Sequence, residues 1–417
     1  MTHPFDGRLN RQQFLLRTGG AAVAFAGLSP LLAACGGGDD GGGPVGAGGI
    51  PLARPDNPVK LPLFDDNAPI ASGLQPEKGS LRIYIWADYI WKKKLKEFGK
   101  EYGVEVEVTT FTTMDEAIAK LSTGAVAFDV FFPQVDRLGR MAVGKTMQPL
   151  NKDYLPNLNR NVWPVLQDPF YDQGSLYTVP YTIFTTGIGF RRDKVEPAPG
   201  DRPNPYDIFG ETAYKGKTYL LDDGREALAM ALLRRGITDL NTENPATIAK
   251  AKNDLLGLID RVNLKIAYDD YVKIPEGTSW VHQAWSGDMV AAQNYLPEGT
   301  SADVLGYWYP PQGGGAITND TMVVLRGAKK PVLAHHFINF MLDEKHGYEN
   351  FAQWTGYQPP FVSIQPDRLV SDGVIPANLR AAVVRESDFK KGYPLLELSP
   401  AGAVLWQNAW AEIKAGV

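Results

Sequence analysis

The chain is short of the residues that most reactive centres need. One cysteine stands among 417 residues, so no intramolecular disulfide can form and no set of thiolates can hold zinc. Five histidines, His3 among them, leave little for a histidine-rich metal centre. Excess positive charge is also missing. The formal net charge is −5, and no sustained basic run is present to track a phosphate backbone, which argues against a nucleic-acid partner. No GxSxG, HExxH or CxxC spacing occurs, so neither a nucleophile elbow nor the common zinc and redox signatures apply. The one apolar run near the start, "GGAAVAFAGLSPLLAA", is too short and too rich in glycine for a membrane span.

What is present begins with an export leader. Arg8, Arg11 and Arg17 precede that apolar run of small residues, the layout of a secretory signal. Leu32-Ala33-Ala34-Cys35 resembles the lipobox of bacterial lipoproteins, in which the cysteine is lipidated and becomes the first mature residue. "NRQQFLLR" is similar to a twin-arginine export motif, with Gln12 in the place of its second arginine. The glycine-rich run after Cys35 carries too little apolar side chain to offset the entropy of ordering it. The expected organisation is a leader over 1–34 and a lipidated Cys35 with a flexible tether over 35–79. The remainder is long enough for two domains, each with its own core.

From Leu81 the pattern is regular. Leu81, Ile83 and Ile85 alternate with Arg82, Tyr84 and Trp86, as in a strand buried mostly on one face. Trp91, Leu95, Phe98 and Tyr102 follow at helical spacing, with Gly103 as a stop. "VEVEV" reads as a strand, Thr113 and Glu116 have the spacing of a capping box, and "AFDVFF" reads as the next strand. A second series runs through "KTYLLDD", "GREALAMALLRRG", a helix from Pro245 capped by Asn244, "LKIAYDD" and "DMVAAQN". "AITNDTMVVL" and a helix over "KKPVLAHHFINFMLDEKHG" close the pattern. Alternating strands and helices predict two α/β lobes. The glycines of "TTGIGF" predict a turn or a tightly packed strand rather than a dinucleotide loop.

Aromatic residues stand beside acids in "IWADY", "YDDY" and "QAWSGD", which carry Trp86, Asp88, Tyr89, Asp270 and Trp285. "DDGRE" and "TND" add Asp223, Glu226 and Asp320. An aromatic face attracts a cation and a carboxylate accepts its N–H donors, so several such groups around one cleft suit a solute with two or more ammonium groups. Other roles are open to the same residues. Asp223 and Glu226 have capping-box spacing; Trp86, Tyr89 and Trp285 suit a core, and Asp320 suits a turn. An extracellular hydrolase with paired carboxylates is a rival reading, yet no acid and base assignment can be named. A ferric-ion receptor would need a hard anionic shell of phenolates.

Six blocks in order, "LRIYIWADYI", "KLSTGAVAFDVFFPQ", "LYTVPYTIFTTGIGF", "YKGKTYLLDDGREALAMAL", "QAWSGDMVAA" and "WTGYQPP", resemble the polyamine-binding proteins of bacterial ABC importers. The resemblance spans roughly 80–417. It implies a type II periplasmic-binding fold, with two mixed-sheet α/β lobes and a ligand cleft between them. One lobe would comprise 80–186 plus 318–365, the other 187–317 plus 366–417. It implies no enzyme activity, no catalytic residue, no metal site and no cofactor. The implied solute is a polyamine such as putrescine or spermidine, with another organic cation as the alternative. The implied partners are an ABC permease and its cytoplasmic ATPase, reached by a monomer tethered outside the cell membrane; a sensory binding lipoprotein is a related alternative.

Position by position, Trp86 and Tyr89 match the family's early aromatic wall, and Asp223 and Glu226 its paired acids. Trp285 matches a ring that stacks on the polyamine, Asp320 an acid gripping an amine, and Tyr357 a pocket tyrosine. Asp88 stands where members carry a polar or acidic residue. Two departures bear on selectivity. Thr318 occupies the place of a second tryptophan, and the loop "FFPQVD" is short and offers Gln134 instead of a serine and a tyrosine.

Overall fold

The computed structural model describes residues 45–124 and 126–416; the leader and Cys35 lie outside them. Ten strands form one hydrogen-bonded series among these residues. They are β1 (Leu81–Trp86), β2 (Val106–Phe111), β3 (Val130–Phe131), β4 (Val179–Arg191), β5 (Thr218–Leu221), β6 (Lys265–Ala267), β7 (Val281–Trp285), β8 (Leu305–Trp308), β9 (Ala316–Val324) and β10 (Tyr393–Pro394). The order is β2-β1-β3-β9-β4-β7-β5-β6, with β8 paired to β4 and β10 to β9.

The outer strands pair in parallel, whereas the central strands β4 and β9 pair antiparallel except where β10 joins β9 in parallel. β1 pairs in parallel with β2 and β3, and β5 with β6 and β7. β4 runs antiparallel to β7, β8 and β9, and β9 also to β3. Every residue of β4 and of β9 is buried. Such strands, covered on both faces, show no alternation in their sequence. Their lengths matter for function because they run through both apolar cores. Val179 and Ile183 of β4, with Met322 to Val324 of β9, belong to one core; Ile188, Phe190 and Ala316 belong to the other. The glycines of "TTGIGF" sit in β4. A Cβ at Gly189 would come within 2.7 Å of Ile274 and Met289, and one at Gly187 would strike Tyr307 at 2.8 Å. Close packing explains both.

Local signals read well where the partner is nearby. The helix Lys92–Tyr102 ends at Gly103 in the left-handed conformation, and Asn244 caps Pro245–Val262 by accepting from the Ala246 and Thr247 amides. Three local expectations change. Glu116 N–H does donate to Thr113 Oγ1 at 3.2 Å, but the Glu116 carboxylate returns to the Thr112 amide, one residue earlier than a reciprocal box requires. The strand of "AFDVFF" shrinks to Val130–Phe131. The late helix is two, Pro331–Met341 and Glu344–Asn350, because the Asp343 carboxylate accepts from the Lys345 amide and starts a new N-terminus.

The larger correction concerns the tether. Residues 45–79 do not hang apart from the fold. Leu52, Val59 and Leu61 are buried. Val59 exchanges backbone hydrogen bonds with Phe170 (2.7 Å) and Gln173 (2.9 Å), and Tyr177 Oη donates to the Pro62 carbonyl at 2.7 Å. Glu77 accepts from the Val332 and Leu333 amides and so caps the helix Pro331–Met341. Composition misled here: apolar residues spaced between prolines suffice when tertiary partners satisfy the backbone.

Candidate functional site

β4 supplies the wall on which the site is built. Thr182, Phe184 and Thr186 occupy alternate positions and therefore point to one face. Thr182 pairs with Asp320 on β9, and Gln134 makes an isolated bridge to Asp320 from the other side. Tyr89, just beyond the end of β1, donates from its hydroxyl to Asp320 Oδ2 at 2.8 Å and lies 2.6 Å from the Thr182 hydroxyl. The chain reaches Tyr89 through Asp88, whose φ of 57° is left-handed; aspartate tolerates this region better than most residues.

From Tyr89 an aromatic series crosses to the other wall. Tyr357 packs edge-on against Tyr89 (5.2 Å between centroids) and against Phe184 (5.4 Å), and Phe184 meets Trp285 at 6.5 Å. Trp285 ends β7, and its Nε1 donates to Glu226 Oε1 at 3.0 Å. Glu226 lies in the first turn of the helix Gly224–Arg234. Asp223 caps that helix by accepting from the Arg225 amide at 2.8 Å and the Glu226 amide at 3.0 Å. The capping box is therefore half realised. Asp223 serves the helix start, while the Glu226 side chain turns to Trp285 rather than back to the Asp223 amide.

Electrostatics set the acids apart from surface carboxylates. Burial, with the charge of Asp136 adding, pushes Asp320 up to about 7 against the opposing hydrogen bond from Tyr89. Burial and then Asp223 push Glu226 up to about 7, while Trp285 and the nearby Thr186 hydroxyl favour its charge. Asp223 is raised by burial and by Asp136. Asp320 Oδ1 and Glu226 Oε2 are buried and accept no well-formed hydrogen bond from the protein. Each carboxylate thus keeps one acceptor for an incoming N–H donor, with aromatic rings between the two.

The structure accordingly joins Tyr89, Gln134, Asp223, Glu226, Trp285, Asp320 and Tyr357. Three other residues lie outside these contacts. Trp86 is half-buried and packs on Phe111 at 4.5 Å. Asp88 is exposed, and its carbonyl accepts from Trp354 Nε1 at 3.2 Å. Asp270 is buried against Asp288, and burial followed by that second carboxyl hold its pKa well above the ordinary range. Sequence reading missed Thr182, Phe184 and Thr186. They were detectable as an i, i+2, i+4 set, but uniform burial of β4 hides which face matters. Gly139 to Thr146 also has GxxxxGK[ST] spacing, yet it is no phosphate loop. Leu138–Val143 is already helical, a Cβ at Gly139 would strike the Glu397 carboxylate, and Lys145 pairs with Asp66 at 2.9 Å. Among the described residues no three His, Cys, Asp or Glu side chains gather to hold a metal.

Helices around a mixed sheet, two cores threaded by the same central strands, and a site on those strands define a type II periplasmic-binding fold. The profile of the bacterial extracellular solute-binding proteins matches residues 93–377, and the chain belongs to that family. Its members bind solutes for transport and are not enzymes. The chain is 29% identical over 273 residues to a putrescine/cadaverine-binding protein of Pseudomonas aeruginosa, covering 64% of this chain and 76% of that one. It is 27% identical over 341 residues to the spermidine/putrescine-binding periplasmic protein of Escherichia coli, covering 82% and 93%. Its fold is similar to that of a spermidine/putrescine substrate-binding protein of Streptococcus pneumoniae, with TM-score 0.65, 22% identity, and 81% and 99% coverage.

Proposed function

We propose that this protein is the extracytoplasmic receptor of an ABC importer and that it captures a polyamine such as putrescine or spermidine. The observation that carries this reading is the pair of buried carboxylates on opposite walls, Asp320 with Tyr89 and Glu226 with Trp285, joined by Tyr357 and Phe184. Ammonium groups would meet the acids while methylenes lie along the rings. Capture would close two lobes, 80–186 plus 318–365 and 187–317 plus 366–417. Solute touching both walls favours the closed state through contacts that the open state lacks. The named relatives support the solute class. Calorimetric titration with putrescine, spermidine, a neutral sugar and an anion tests it. Tight binding of the sugar or anion, with no heat or competition from any amine at millimolar concentration, overturns it.

Two further results are expected. Trp285→Ala lowers polyamine affinity by about 1–3 kcal/mol, because it removes a ring face and the donor that orients Glu226. Wild-type affinity in that variant would remove Trp285 from the site. Cys35, in the lipobox-like Leu32-Ala33-Ala34-Cys35, is the proposed membrane anchor. Cys35→Ala should release the protein from membranes without changing amine affinity. Intact mass of the wild type showing an unmodified, unprocessed Cys35 counts against anchoring.

A further inference from the structure

The pairing of β4 fixes the order of groups between the two acid walls. Thr182 stands opposite Asp320 and Phe184 opposite Thr318 on β9, while on the other edge Thr186 stands opposite Trp285 of β7. Directly paired residues send their side chains to one face, and every second residue of a strand returns to it. Thr182 and Thr186 mark the two ends. The Thr182 hydroxyl lies 2.6 Å from the Tyr89 hydroxyl that donates to Asp320, and Trp285 donates to Glu226. Four residues of extended chain separate those ends, roughly 13 Å. Phe184 is the midpoint. Of the three β4–β9 pairs on this face, Thr182–Asp320, Phe184–Thr318 and Thr186–Ala316, only the middle one carries a ring. Phe184 is 5% exposed, yet it belongs to neither of the two apolar cores. Its ring contacts are site residues instead: Tyr357 at 5.4 Å and 85°, and Trp285 at 6.5 Å and 80°. Tyr357 is seated in turn on Gly287, where a Cβ would strike its ring at 2.5 Å. Rings on both sides therefore hold Phe184 in place.

We propose that Phe184 is a specificity-determining residue whose ring sets the length of amine that can span the two acids. This rests on the reading that Asp320 and Glu226 take the ammonium groups. A chain stretched between them passes the middle of β4, where the ring keeps its methylenes off the sheet. An extended diamine of matching length lies over the ring. A longer one must bow toward the sheet to keep both ammonium groups on the acids, and the ring fills that space; Thr318, its shorter partner, does not. Shortening residue 184 opens a hollow for the bow.

The test separates length from charge. Cadaverine and 1,8-diaminooctane carry the same two ammonium groups on chains of different length. By calorimetry on the full chain, Phe184→Ala should raise affinity for 1,8-diaminooctane relative to cadaverine by about tenfold or more, and Phe184→Leu by less. The leucine variant keeps most of the apolar volume and carries the test if the alanine variant does not fold. Phe190 is another buried ring of β4, but it belongs to an apolar core. Phe190→Leu therefore controls for lost stability and should leave the ratio within about twofold of the wild type. An unchanged or lowered ratio in the folded Phe184 variants, or an equal shift in Phe190→Leu, overturns the assignment. Failure of the wild type to bind either diamine or spermidine overturns the amine reading itself and is recognised before any variant is made.

Discussion

Asp320→Asn should lower affinity for putrescine or spermidine by about 2–4 kcal/mol, roughly 30- to 1,000-fold. The substitution keeps an oxygen that can accept from Tyr89, so the wall between β1 and β9 should stay assembled. It removes the charge, and the amide group can turn N–H donors toward the ammonium. A buried position makes this loss large, because no water stands in for the missing charge. Tyr89→Phe is the companion measurement. It deletes the hydrogen bond that favours ionised Asp320, so it should weaken binding less at pH 8 than at pH 6. Near-wild-type affinity in Asp320→Asn, by calorimetry on a protein with a normal melting transition, would place the amine elsewhere.

Amine affinity should also fall steeply as pH drops through neutrality. Asp320 and Glu226 sit at about 7, well above their ordinary 3.8 and 4.5. Below that point both are largely neutral, and ammonium binding must expel a proton from each. Affinity then falls by up to about tenfold per pH unit for each acid engaged. Heats measured in buffers of different ionisation enthalpy should report proton release near pH 6 and little near pH 8.5. Stability of the ligand-free protein moves in the opposite direction. Between the ordinary and the folded values the native state binds more protons than the unfolded chain, so these two acids make stability fall as pH rises from about 4 to 7. The melting-temperature gain from added polyamine should therefore grow with pH. A constant gain from pH 5 to 8, with no proton release, would mean that neither acid meets the ligand.

Much of this protein is legible locally. Gly103 ends a helix and Asn244 with Pro245 starts one because a cap is settled within a few residues. Aromatic–acid proximity in sequence selected Tyr89 and Trp285, and the acidic stretches added Glu226 and Asp320, although neither gave their partners. The same proximity selected Asp270, which the fold places against Asp288, and Asp88, whose side chain position is exposed.

The sequence by itself determined the alternation of strands and helices, the caps, and the stock of rings and carboxylates, all of which depend on residue type and short spacing. Only the tertiary structure decided that Tyr89 meets Asp320, 231 residues away, and that Trp285 meets Glu226, 59 residues away. It alone decided that the segment 45–79 packs onto the fold, with Leu52, Val59 and Leu61 buried and Phe170, Gln173 and Tyr177 bonding the backbone of Val59 and Pro62. The pKa values of the acids belong to that level too. A carboxyl group rises to about 7 only when a fold removes its water and sets another carboxylate near it, and no spacing along the chain encodes either.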